Sequence, residues 1–108
     1  MQLLQINWHK LFEIEEKLRV YAHGDCKDVY ACPEDHGHVL SLDQSFAWTI
    51  ADRLLGIIEK RNIEGMTNFL RETLMYYVTL RRYQQSSKYP ELIQLIKGIH
   101  RACHDKED

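Results

Sequence analysis

Only two prolines and five glycines interrupt the 108 residues. Those two residue types are the strongest local breakers of regular structure, so long irregular stretches are confined to a few places. No internal repeat or low-complexity segment is present. Nor does any apolar run approach the roughly 18 residues of a membrane span. The first ten residues, Met1 to Lys10, lack the basic-then-apolar order of a signal peptide, so a cytoplasmic location without membrane insertion is the expectation. Cysteine is scarce and odd in number, at Cys26, Cys32 and Cys103. A chain of this length can hold a core without staples, which argues against a disulfide framework and leaves free thiols or one small metal site. Charge of one sign is missing too. Fourteen basic and 16 acidic residues give a net charge of −2, so no global field points to nucleic acid or an anionic surface. Gly-rich phosphate loops, Gly-x-Ser-x-Gly elbows and His-Glu-x-x-His pairs are all absent, and an enzyme is not the leading expectation.

What remains is 44% hydrophobic and 28% charged residues, the ordinary composition of a folded domain. One domain over 1–108 is expected, since a second core would not fit. Its class is all-α in the main. Apolar residues recur at steps of three and four through Leu4, Trp8, Leu11, Ile14, Leu18 and Tyr21, which predicts a first helix over about 6–22 with Gly24 as its stop. Glu13, Glu15, Glu16, Lys17 and Arg19 are read as its solvated face. Residues 23–41 lose the period and gain turn-favouring residues, so they read as a long loop. Within it Asp28 to Cys32 and His38 to Leu42 are rich enough in β-favouring residues to allow a small hairpin.

Ser41-x-x-Gln44 has capping-box spacing and predicts a second helix over about 42–61. A third is expected over 67–84, after a break containing Gly65, with Asn62 or Thr67 as its N-cap and with Met66, Phe69, Leu70, Thr73, Tyr76, Tyr77, Leu80 and Tyr83 as its buried stripe. Pro90 suits the first turn of a fourth, over 90–104. Short connections favour antiparallel neighbours, so the elements predict a four-helix arrangement with a long first crossover. That architecture hosts many functions and names none.

Three features carry functional expectations. The second helix has an apolar arc of roughly 200°, against an ordinary stripe of just over 100°. Such a helix either lies between two others or leaves a surface for a partner. On the second reading Trp48 and Leu55, at the edge of the arc, join off-stripe Met75, Val78 or Phe12 in a partner-binding or homodimer patch. The expected function is then a small protein-interaction module, such as a regulatory subunit, inhibitor or adaptor. The alternative is a zinc-stabilised protein. Cys26, Cys32, His36 and His38 place thiolates and imidazoles within one loop, near His23, although the spacing lacks the Cys-x2-Cys pair of standard knuckles. A surface loop with inert thiols and solvated imidazoles explains the same residues.

On the fourth helix His100 and His104 share a face and could hold an ion together, but imidazoles near a helix C-terminus are favoured by the dipole alone. A nucleophilic cysteine would need Cys32 with His36 or Cys103 with His100, and Cys103 falls inside an apolar stripe, where thiols are usually inert. The third class, a nucleic-acid-binding regulator, rests on the two helices around residue 62. The start of the third helix, Thr67 to Glu72, offers a single cation beside an acid, so nucleic acid is not the expected partner.

Overall fold

A computed structural model describes residues 5–23, 40–82 and 89–104. Among these the chain forms four α-helices and no sheet: α1 Trp8–His23, α2 Leu42–Lys60, α3 Ile63–Arg82 and α4 Tyr89–Ala102. The all-α expectation holds. The hairpin expected from Asp28 lies outside the described residues up to Leu40, beyond which Leu42 already begins α2. No helix among the described residues is long and apolar enough to cross a membrane.

Helices α1, α2 and α3 each start where a side chain takes up an orphan backbone donor. Asn7 Oδ1 accepts the Lys10 N–H at 3.1 Å and opens α1. At α2 the Gln44 side chain reaches back to the Ser41 N–H at 3.1 Å, as the Ser-x-x-Gln spacing predicts, while the Ser41 hydroxyl donates to the Asp43 carboxylate at 2.5 Å. The second helix closes through Arg61, whose left-handed φ of 49° turns the chain. Arg61 N–H bonds Ile58 O and Asn62 N–H bonds Ile57 O, each at 3.2 Å, the paired pattern of a Schellman C-cap. Reversal is so tight that Asn62 becomes the N-cap of the next helix, accepting the Gly65 N–H at 2.9 Å. Helix α3 therefore begins four residues before the expected Thr67, and Gly65 belongs to its first turn instead of to a break. A Cβ on Gly65 would lie 2.6 Å from Asn62 Nδ2, so the glycine makes room for the cap.

The helices close into a ring, α1 on α2, α2 on α3, α3 on α4 and α4 back on α1, with the α1–α2 seam the most extensive and α4 also touching α2. Leu11 and Leu18 from α1, Ile50 and Leu54 from α2, Met66, Phe69 and Leu80 from α3, and Leu92, Ile96 and Ile99 from α4 fill the centre with almost no solvent exposure. The expected stripes of the first and third helices supply much of this core, with Trp8 and Tyr21 partly buried at its edge. Tyr76 and Tyr77 are only half-buried, and Tyr83 lies outside the described residues. Ahead of α1, Asn7 N–H bonds Ala102 O at 2.8 Å and Gln5 forms an isolated parallel bridge with His104, which ties the segment before α1 to the end of α4.

One expectation about α1 is overturned. Glu15 is 0% exposed and Arg19 3% exposed, so these two residues face inward. On a helix Glu15 lies about 40° from Leu11, within the apolar stripe and not opposite it.

Candidate functional site

The two flanks of α2 are both occupied inside the chain. On one flank Trp48 meets α1: its ring is 5.2 Å from that of His23 at an interplanar angle of 80°, and the Arg19 guanidinium lies 4.8 Å from its centroid. Arg19 also approaches Asp52 at 3.8 Å. On the other flank Phe46 packs edge-on against Tyr76 of α3 at 4.8 Å, and Arg53 pairs with Glu72 at 2.7 Å. The wide apolar arc is thereby shared between two neighbours. Trp48 and Leu55 are both half-buried, and Trp48 is the one that meets α1.

Met75 lies elsewhere. Taking Thr73 and Leu80 as the inward direction of α3, Met75 points nearly opposite to them and is 73% exposed. Leu74, 52% exposed, and Val78, 51% exposed, stand beside it at i−1 and i+3, and one turn apart from each other, so the three form a continuous apolar strip. The structure does not bring Met75 together with Trp48 and Leu55. It joins the Met75 strip to a different feature, an open cleft of about 340 Å³ between α3 and α4 lined by Leu74, Tyr77, Ile96, Lys97, His100 and Arg101.

Leu74, Tyr77 and Ile96 make this cleft apolar, and Lys97 and Arg101 make its rim positive. Neither cation is ion-paired among the described residues. Arg81 extends the positive edge, its guanidinium 5.9 Å from the Tyr77 ring centroid. The Thr73 hydroxyl donates to Leu70 O at 2.7 Å, and a hydroxyl has one proton to give. With that proton given to Leu70 O, the oxygen is left to accept from His100 Nε2–H, 2.8 Å away, an arrangement that favours the Nε2–H tautomer of neutral His100. Burial, helped by neighbouring His104, pushes the His100 pKa below the usual imidazole value. Near neutral pH the charge of the cleft thus comes from Lys97 and Arg101.

The other sequence candidates fall out as follows. Cys26, Cys32, His36 and His38 lie outside the described residues. His23, at the end of α1, is buried against Trp48. His100 and His104 neighbour one another as their spacing requires, and no group of three or more residues able to hold a metal forms among the described residues. Cys103 is buried, and burial alone pushes its thiol up to about 11, which leaves it protonated and unreactive near neutral pH. A second cleft, of about 400 Å³, opens at the α2–α3 corner beside Lys60, Asn62 and Asn68, where Arg53 and Glu72 satisfy one another.

Sequence reasoning did not find the α3–α4 cleft. Its signal was available: Leu74 and Tyr77 on α3, and Lys97 and Arg101 on α4, each flank an apolar stripe on one side. No family model, curated protein or solved structure matches this chain.

Proposed function

We propose that the chain is a small non-enzymatic protein-interaction module, of the regulatory-subunit, inhibitor or adaptor type, acting through the outer face of α3 and the cleft between α3 and α4. The observation that carries this reading is the strip of Leu74, Met75 and Val78, three large apolar side chains held in water on one side of a helix whose other side supplies the core. Scattered single apolar residues need no explanation, but a contiguous strip adjoining an apolar cleft is the form that interaction surfaces take. Methionine adds adaptability, since its unbranched thioether fits differently shaped partners. Trp48, engaged with His23 and Arg19 of α1, serves chiefly to hold the bundle.

A photoreactive amino acid at position 75 tests the reading in the cells that make the protein. A discrete protein adduct, lost when Leu74→Asp is added, is the expected result. Leu74 is exposed, so that variant keeps the wild-type circular dichroism and melts within a few degrees of it, surface changes typically costing about 0.5 kcal/mol or less. Strictly monomeric sedimentation at high concentration, together with no adduct at position 75, rejects the reading.

A further inference from the structure

The α3–α4 cleft has a chemical polarity that the interaction reading alone does not use. Its floor is apolar, and among the described residues every formally charged side chain lining it is a cation, in a chain whose net charge is −2. The acids in the first turns of the two helices, Glu64 and Glu91, do not line it. Glu72 is taken up by Arg53 on the far side of α3. Lys97 and Arg101 sit one turn apart on α4 without an opposing carboxylate among the described lining residues, and Arg81, beside the Tyr77 ring on α3, adds a third cation near the cleft.

We infer that this cleft receives an acidic amphipathic helix of a partner protein, with apolar side chains seated on Leu74, Tyr77 and Ile96 and carboxylates facing Lys97 and Arg101. The inference rests on the interaction reading above and narrows it to one class of partner. Helix-in-groove docking places residues at i, i+3, i+4 and i+7 into an apolar channel. The lining runs from Ile96 to Arg101 along α4, about 7.5 Å at 1.5 Å per residue, so it seats about one and a half turns of a docked helix, enough for an i and i+4 pair of its apolar side chains. Lysine and arginine at the rim select the sign of the partner's flanking charge and speed its approach, whereas the apolar floor supplies the adhesion. A docked helix with basic flanks would meet like charges at Lys97 and Arg101.

The test uses the full chain and two helix-forming peptides of about 15 residues, alike in a leucine stripe and differing in glutamate or lysine flanks. Fluorescence anisotropy at low salt should show the glutamate peptide binding roughly tenfold more tightly than the lysine peptide, a preference that collapses near 1 M salt, where the screening length is about 3 Å. Lys97→Glu with Arg101→Glu should reverse the order, and Leu74→Asp should weaken both peptides. Circular dichroism of each variant, expected to match the parent, checks that the helices are kept. Failure of the glutamate peptide to bind, equal affinity for the two peptides, or preference for the lysine peptide overturns the inference. So does recruitment to phosphatidylserine vesicles in preference to either peptide. If both peptides bind alike and Leu74→Asp abolishes both, the acidic partner is wrong and the interaction reading survives. If the adduct at position 75 persists unchanged in Leu74→Asp, the interaction reading itself has failed.

Discussion

Arg19 donates to Glu15 one helical turn away, and the two charged side chains are enclosed where α1 meets α2. Only one carboxylate oxygen is served: Glu15 Oε2 is buried and has no hydrogen-bond partner among the described residues. Removing one member of such a pair costs more than removing both, because the survivor keeps its desolvation penalty. Arg19→Met is expected to destabilise by about 3 kcal/mol at neutral pH, and Glu15→Met with Arg19→Met to return to within about 1 kcal/mol of the parent. Urea unfolding of the parent, the single variant and the double variant checks this. A double variant as weak as Arg19→Met would show that the pair does more than neutralise itself.

Two buried carboxyls should give opposite slopes of stability against pH. Burial, outweighing the nearby Arg19, raises the Glu15 pKa, so the native state keeps a proton that the unfolded chain has already lost. Stability then falls as pH rises from about 4.3 through the folded value. At Asp43 burial also raises the pKa, but hydrogen bonds from Ser41 and Tyr21, the latter at 2.6 Å, and from the backbone outweigh it and lower the net value. Its contribution is present above about pH 3.9 and disappears as pH falls through the depressed folded value. Glu15→Gln should remove the first slope and Asp43→Asn the second. Tyr21→Phe should cost about 1.5 kcal/mol at neutral pH and little once Asp43 is protonated.

How far the sequence disclosed this molecule depends on whether residue type or residue phase was followed. Leu11, Leu18, Phe69 and Leu80 follow from spacing, and they are core. Glu15 was assigned to solvent by its charge, yet its phase, four residues after Leu11 and three before Leu18, already placed it in the buried stripe. The start of α3 is half legible: Asn62 is one of the two N-cap candidates and is the cap observed, but Arg61, not a glycine, takes the left-handed C-cap position, so no glycine marks the reversal that would favour Asn62 over Thr67. Met75 was identified as off-stripe, and it is exposed. Its separation from Trp48 depends on which helix covers which flank of α2, and a single helix's periodicity does not contain that information.

Two helical glycines should respond in opposite ways to the same substitution. Gly56, inside α2, would find nothing within 4 Å of an added Cβ. Gly56→Ala is therefore expected to stabilise by about 0.5–1 kcal/mol through helix propensity. Gly65→Ala would drive a methyl into the Asn62 amide and displace the cap on its own N–H, a loss of about 1 kcal/mol set against the same propensity gain. Thermal melts of the two variants decide the point. Clear stabilisation by Gly65→Ala would mean that the Asn62 cap contributes little.

His100 joins the core to the cleft, and its protonation should register in both. Its lowered pKa, caused by burial and then by His104, means that the unfolded chain binds this proton more readily than the native state. Stability should therefore drop as pH falls below about 6.5, the unperturbed imidazole value, and level off once the folded value is passed. His100→Gln can keep a donor toward Thr73 Oγ1 but does not titrate, so it should flatten that part of the curve. Thr73→Val leaves the Nε2–H without its 2.8 Å acceptor and should cost about 1–2 kcal/mol at pH 7. Nitrogen-15 spectra of the imidazole should show the Nε2–H form in the parent, because the Thr73 hydroxyl proton is already committed to Leu70 O. A predominantly Nδ1–H ring, or a slope near pH 6 that persists in His100→Gln, would place the titrating group elsewhere and break this link between bundle and cleft.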